Sequence, residues 1–410
     1  MTPSHIVILN DNGSLTGGSA AVALASAKGL AQRARRVTLV TCVGPLAPGL
    51  GSVPNLECVC LGQRDIASDP NRLRAFSSGI RNGAAVAAVR AVLGGMPRRE
   101  TVVHVHSWTK SLSPFALAAV CEMGFPLVVT LHDFFVACPN GGLFVHGANE
   151  LCGRRPLSAA CLRCGCDRRN HGHKLWRFAR TVVQNRILRV PERVSHFVGV
   201  SDFSVGIMRP FLPARVPVTV VRNPVECRDL GPAEPGANRE FLYVGRLEVE
   251  KGARLFAEAA AATGLPATFV GDGALSRELR RICPHARFTG WLPPEAVREH
   301  LARARALVVP PLGYETLGMV VIEASAAGVP AIVAGRCAAT DVVTDGVNGI
   351  LFEHGSGGAL QAAMRRLAGN DILASRLGRA AYDGYWADPW TVGRHVDRLV
   401  EIYGALGEAA

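Results

Sequence analysis

Two doubly wound α/β domains facing a cleft are predicted by three features of the sequence. Short apolar runs alternate with helix-length segments along nearly the whole chain. At 410 residues the chain is long enough for two domains. It is 49% hydrophobic but only 6% aromatic, which suits helices on parallel sheets better than a β-sandwich and excludes a largely disordered chain.

The first domain is expected over residues 1–225. His5–Asn10 reads as a buried strand, followed by the loop Asp11–Gly18 and an Ala-rich helix from Ser19 to about Gln32. Val37–Cys42, Val102–His106 and Pro126–Leu131 are the next strand candidates, with a helical pattern over Phe115–Met123. Residues 134–172 break the alternation with Gly, Pro, Cys and basic residues, and read as an inserted loop. His196–Val200 and Val218–Val221 resume it. Asn223–Asn238, rich in Pro, Gly and Glu, is a linker. The second domain, 226–385, carries strand candidates Phe241–Val244, Ala267–Val270, Ala286–Thr289, Ala306–Val309 and Ala331–Val333. Ligands of such folds sit at the carboxyl ends of the strands.

Charge is unevenly spread. Residues 1–225 hold 26 Lys and Arg against 11 Asp and Glu, although the whole chain is only +12. A basic half suits anionic partners, such as phosphate esters or an anionic membrane surface; Arg-for-Lys usage driven by a GC-rich genome is the plainer reading. No apolar run reaches the length of a spanning helix, and Met1–Asn10 lacks the pattern of a signal peptide. A cytoplasmic location is therefore expected, with the 12 cysteines reduced unless they bind metal.

Two segments carry the chemistry. Tyr314–Glu323 (YETLGMVVIE) follows an apolar run and opens a helix that stops at Gly328-Val329-Pro330. Free amides at that helix start, beside Thr316, Leu317 and Gly318, form an anion site. Glu315 lies on the approach loop. Glu323 lies inside the helix, where it suits the vicinal hydroxyls of a ribose. Gly245–Gly252 (GRLEVEKG) puts Arg246 and Lys251 at the end of another strand, two cations suited to a diphosphate and to the charge of a leaving group. Weaker signals are Gly271-Asp272-Gly273, the turn around Leu292, the pair Gly17-Gly18 before the first helix, and His132 at the end of Pro126–Leu131. His104 and His106 share one face of their strand and are expected to line the same cleft. There is no Asp-x-Asp, no GxGxxG after the first strand and no GxxxxGK[ST], which argues against a metal-bridged diphosphate, a dinucleotide dehydrogenase and a P-loop NTPase.

GRLEVEKG, VGDG, FTGWLP, YETLGMVVIEASAAGVPAIVAG and DVVTDGVNGILFEHG resemble, in order and spacing, the donor half of retaining family 4 glycosyltransferases of the GT-B fold. The GG loop, HVHSW, LHDF, GVSDFS and RNPVE extend a looser similarity over the first half. The resemblance implies two Rossmann-like domains and transfer of a sugar from a nucleotide diphosphate-sugar donor to a glycan or lipid-linked acceptor, with retention at the anomeric carbon and no metal in catalysis. Lipopolysaccharide, exopolysaccharide or capsule synthesis is the default setting. Arg246 and Lys251 would then grip the diphosphate, Glu323 the ribose, and Glu315 with the amides of Thr316–Gly318 the donor sugar. His132 would face the reactive side of that sugar, Gly17 and Gly18 would lie near the diphosphate, and Leu292 would touch the base. Trp386–Leu406 resembles a helix that crosses back to the first domain. A GT-B-shaped epimerase or phosphorylase and a catalytically inactive partner are the competing readings. Nucleic-acid binding has no recognisable module here.

Cys138, Cys152, Cys161, Cys164 and Cys166 fall in one loop. Cys161 and Cys164 form a Cys-x-x-Cys, and with Cys138 and Cys152 they are a candidate structural zinc set, plain thiols and a redox or cluster site being the alternatives. Just beyond, Lys174, Arg177 and Arg180 lie on a helix roughly opposite Leu175, Ala179 and Val182. They are expected to form a solvated basic face able to dock on anionic lipid, placing the protein peripherally on the inner membrane face.

Overall fold

The structure is a computed structural model and describes residues 3–408. The first domain is built on strands β1 (His5–Asn12), β2 (Arg36–Val43), β3 (Leu56–Gln63), β4 (Thr101–Val105) and β5 (Leu127–Leu131). After a small hairpin, β6 (Phe144–Val145) and β7 (Glu150–Leu151), come β8 (His196–Gly199) and β9 (Val218–Val220). Seven of these form a parallel sheet in the order β3-β2-β1-β4-β5-β8-β9. The second domain holds β10 (Glu240–Val244), β11 (Ala267–Val270), β12 (Arg287–Gly290), β13 (Ala304–Val309), β14 (Ala331–Ala334) and β15 (Gly349–Phe352). These form a parallel sheet in the order β12-β11-β10-β13-β14-β15.

Most strands predicted from apolar runs are central ones, buried on both faces as parallel sheets require; β9 and β12, also predicted, are half-exposed edge strands. Besides the hairpin β6–β7, two strands of the parallel sheets escaped that reading. β3 is an edge strand with mostly half-exposed residues, so its apolar run is broken by Glu57 and Gly62. β15 is four residues within a glycine-flanked turn motif. In both sheets the strand order reverses beside the earliest strand, between β1 and β4 and between β10 and β13. A ligand crevice belongs at each of these points, and the two are brought face to face.

The helix Val392–Glu408 leaves the second domain and packs on the helix Gly18–Gln32 of the first. Residues 386 and 387 end the preceding helix Asp371–Ala387 and 388–391 are the connection, so the crossing helix starts later than the sequence suggests. Val396, Leu399, Ile402 and Tyr403 complete the apolar layer of Ile6, Ile8, Leu24 and Leu30. Gly29 allows the close approach, since a Cβ there would stand 2.7 Å from methyls of Val392 and Val396.

Arg305, fully buried in β13, ties the linker to the second domain. Its guanidinium donates to the carbonyls of Pro235 and Gly236 at 3.1 and 2.8 Å and pairs with Asp371 at 2.7 Å. A buried guanidinium is tolerable only with such saturation.

Candidate functional site

A cavity of about 560 Å³ lies between the domains at the carboxyl ends of the central strands. Of the sequence-predicted residues, Gly18, His132, Arg246, Lys251, Glu315, Thr316, Leu317 and Gly318 line it. Gly17 sits one residue outside, as N-cap of the first helix. Two helix N-termini meet across the space. The helix Gly18–Gln32 begins on one side and Met319–Ala326 on the other, with Met319 Sδ 3.7 Å from where a Cβ on Gly18 would be. Their first amides have no partner within their helices, which makes the gap between them an anion site.

The cations are held by a tight turn after β10. Gly252 has φ 71°, and a Cβ on it would lie 1.7 Å from the carbonyl oxygen of Pro310. Only glycine fits there, and it fixes the direction in which Lys251 leaves the backbone. Lys251 Nζ is hydrogen-bonded to Glu315 Oε2, joining the two predicted motifs in one ion pair. Arg246 is largely exposed and reaches Glu250 at 3.5 Å. Gly271 is likewise obligatory: at φ 134°, its Cβ would stand 2.0 Å from the Gly245 carbonyl.

Thr316 fastens the domains together. Its hydroxyl donates to the carbonyl of His132 at 3.0 Å, and its own carbonyl accepts from Ser201 Oγ at 2.6 Å. Arg168 of the insertion pairs with Glu248 of the β10 turn at 2.6 Å.

His132 faces the cavity, as its place at the end of β5 predicts, but His104 and His106 do not. Both are buried behind the sheet edge. His104 is bonded to Tyr403 and Thr130 at 2.6 and 2.7 Å. His106 Nδ1 meets His132 Nε2 at 2.9 Å, so it supports the imidazole that reaches the cleft. Burial lowers His132 to about 3, and holds His104 and His106 well below the usual histidine range. His132 is therefore neutral at pH 7, with one ring nitrogen engaged by His106. Asp133, beside it, is pushed up to about 6 by burial, against the pull of its bond from the Phe135 amide.

Glu323 and Leu292 do not line this cavity. Glu323 lies within its helix, half-buried, and its carboxyl is raised by burial while Arg298 opposes the rise. Leu292 packs beside the apolar cluster of Val270 and Val297. Residues the sequence reading missed include Asp133, Asn223 and Tyr314. Asn223 Oδ1 is buried without a partner. Tyr314 is wedged edge-on between Phe134 and Phe203. The signal for Asn223 was present in the RNPVE hinge; nothing in the spacing marked Asp133 apart from its neighbour.

The cysteine loop holds its thiols apart from the cleft. Among the described residues, no group of three or more His, Cys, Asp or Glu is arranged to hold a metal ion. Cys138, Cys152, Cys161 and Cys164 are all free, but Cys161 Sγ is met by Lys174 Nζ at 3.4 Å. The basic helix is turned the opposite way to that expected. In His171–Val182, Lys174 and Arg180 are buried at 0% and 4% exposure, while Leu175 is 44% exposed. The cations face the insertion and the β4–β5 region because Cys161, Thr109 and the rings of Trp176 and Phe135 receive them. This helix therefore does not supply the expected lipid-docking face. No helix among the described residues is long and apolar enough to cross a membrane.

Residues 16–229 match the family model described as Glycosyltransferase Family 4, and residues 238–370 match that of glycosyl transferases group 1. A glycogen synthase of Mycobacterium tuberculosis is 28% identical over 69% of this chain, and the match spans 64% of that relative's length. A D-inositol 3-phosphate glycosyltransferase of Nocardiopsis dassonvillei is 27% identical over 77% of this chain and 73% of its own. Among solved structures, a sucrose-phosphate synthase from Thermosynechococcus elongatus superposes with a TM-score of 0.74 at 18% identity, covering 99% of this chain and 100% of that one. This last likeness is one of fold, and it is the two-domain GT-B architecture.

Proposed function

The chain belongs to glycosyltransferase family 4, and on that premise we propose that it transfers a sugar from a nucleotide diphosphate-sugar to an acceptor hydroxyl, with retention at the anomeric carbon. The observation that carries this reading is the meeting, in one cleft, of two helix N-termini, Arg246 and Lys251 with Glu315 and a neutral His132. The first set suits a diphosphate and the second a sugar.

In the reaction the bond from the anomeric carbon to the diphosphate oxygen breaks, and the nucleotide diphosphate departs with the bonding pair. Lys251, Arg246 and the amides of Gly18 and Met319 stabilise the charge that develops there. The acceptor oxygen attacks from the same face, and its proton passes to the departing phosphate oxygen. Glu315 holds Lys251 while offering its other oxygen to a donor hydroxyl. The uncharged His132 lies near the forming oxocarbenium without repelling it. No protein nucleophile is assigned, and no metal takes part.

The acceptor is a glycan or lipid-linked sugar, and the enzyme serves cell-surface polysaccharide assembly from the inner membrane face. Thermal shift against nucleotide diphosphates and their sugars tests the donor site, beside an Arg246→Ala/Lys251→Ala variant. A stabilising shift for one nucleotide, lost in the variant, supports the reading. No shift with any of them refutes it.

A further inference from the structure

Opening off the donor cleft is a second cavity of about 420 Å³, which shares Asn140, His146, Arg246 and Glu250 with the first. Its walls come from the cysteine-bearing insertion, the helix His171–Val182, and the segments around Asp65–Phe76 and Lys110. Nothing in the donor reading uses it.

Its charge is one-sided, with seven Lys and Arg side chains in its lining against three carboxylates. Arg177 is matched by Asp167 at 3.4 Å and Arg246 by Glu250. Lys110 and Arg169 are exposed in the lining, and neither side chain has a carboxylate within ion-pair distance among the described residues. The backbone that carries Lys110 is fixed, because the buried Asp11 carboxylate accepts from the amides of Lys110, Ser111 and Leu112 at 2.8–2.9 Å. Behind them Arg180 is buried, stacked over Trp176 and Phe135 at 5.2 and 5.3 Å. An arrangement that keeps this much like charge converging on a cavity favours an anionic occupant.

A second observation concerns hydroxyls. Asn140 Oδ1 and Glu250 Oε2 line the cavity, are buried, and accept no hydrogen bond, while Asp167 Oδ2 is met only by the Arg177 guanidinium at 3.4 Å. Buried acceptors without donors are costly, and a polyhydroxylated ligand supplies donors. The third is a platform: Phe76 is half-exposed, 5.1 Å from Trp176, and offers a ring face to a sugar.

We infer that this cavity is the acceptor subsite and that the acceptor sugar carries a phosphate, bound by Lys110 and Arg169, with its hydroxyls on Asn140, Asp167 and Glu250. The inference rests on the glycosyl-transfer reading for the identity of the neighbouring site, but the anion site stands on its own geometry. Glu250 and Arg246, common to both cavities, mark where donor and acceptor meet.

The test uses the full chain with its donor cleft saturated by the nucleotide diphosphate found by thermal shift. Inorganic phosphate is titrated by calorimetry into this complex and into a Lys110→Gln/Arg169→Gln variant. Both side chains are exposed and unpaired, so the variant folds. Phosphate binding that weakens about tenfold or more in the variant, with nucleotide affinity unchanged, is expected. Absence of phosphate binding, or binding equal in both proteins, overturns the anion site. Transfer to glucose 6-phosphate in preference to glucose, or to phosphatidylinositol in vesicles, then separates a soluble phosphorylated acceptor from a lipid-borne one. Equal transfer to glucose 6-phosphate by wild type and variant overturns the inference. Failure of nucleotide to bind at all, with phosphate loss intact in the variant, refutes the donor reading and leaves the anion site standing.

Discussion

The two cavities that meet at Arg246 and Glu250 are built from different materials. The donor cleft is made mostly of backbone: two helix N-termini, the Thr316 strap, and glycines at which a Cβ would strike a carbonyl. The side cavity is made of long side chains projecting from an insertion whose regular structure is one short hairpin and one five-residue helix. A backbone-built site can tolerate only a few residue types at its key positions. A side-chain-built site can be recast by substitutions that leave the fold alone. The first suits a ligand feature shared by many reactions, the diphosphate, and the second a feature peculiar to this one.

That contrast can be broken by substitution, and the largest effect is expected in the donor cleft. Lys251→Ala or Glu315→Gln should lower kcat/KM by about 10²–10³-fold, since each removes a preorganised charge from the leaving group or its support. Steady-state rates with retained circular dichroism check this; a change of less than about threefold would detach the ion pair from the chemistry. Next is Gly252→Ala, where a forbidden contact adds to a positive φ. It should lose at least about 1–3 kcal/mol of stability, read by urea melts, and weaken nucleotide binding with it.

The acidic limb of the stability curve comes third. His104, His106, His132 and His395 all titrate below the unfolded histidine value, the last at about 4. A lowered folded pKa means stability that is whole above about pH 6.5 and is lost as pH falls below it. Asp133, raised to about 6, and Glu323, raised by burial, act in the opposite direction over their own ranges, but they are two groups against four. Melting temperature should therefore fall by roughly 5 °C or more between pH 7 and pH 5. A flat profile would show that the histidine layer is hydrated. The smallest effects belong to the insertion: Cys152→Ser and Cys164→Ser should each change stability by under about 0.5 kcal/mol, because both thiols are only half-buried. A collapse of either variant would point to zinc in that loop.

The same contrast explains what was legible in the sequence. Gly252, Gly271, Lys251, Glu315 and Gly318 were readable because strand ends and tight turns impose residue types at fixed spacing. Strands β1, β4, β5, β10, β11, β13 and β14 were readable because burial on both faces makes unbroken apolar runs. The orientation of His171–Val182 was not. Lys174, Arg177 and Arg180 look like a solvent face, and only the tertiary partners Cys161, Asp167 and Thr109 turn them inward. The thiols of the insertion have a tertiary partner too, Lys174 at Cys161, which spacing along the chain does not reveal. His104 and His106 sit on one strand face, as alternation requires, but that face belongs to the core beneath Tyr403.

The helix Val392–Glu408 has a consequence for how the molecule comes into being. It supplies Val396, Leu399, Ile402 and Tyr403 to the apolar layer of the first domain. On the ribosome that domain stays unsealed while the whole of the second is made, because its closing piece emerges afterwards. The second domain, whose sheet uses only residues 240–352, can fold during that wait. Assembly thus ends where it began, with the last helix docking on the first, and the chain passes twice between the domains. Those two crossings, near Arg222 and Asp388, are joined by their own salt bridge of 2.9 Å.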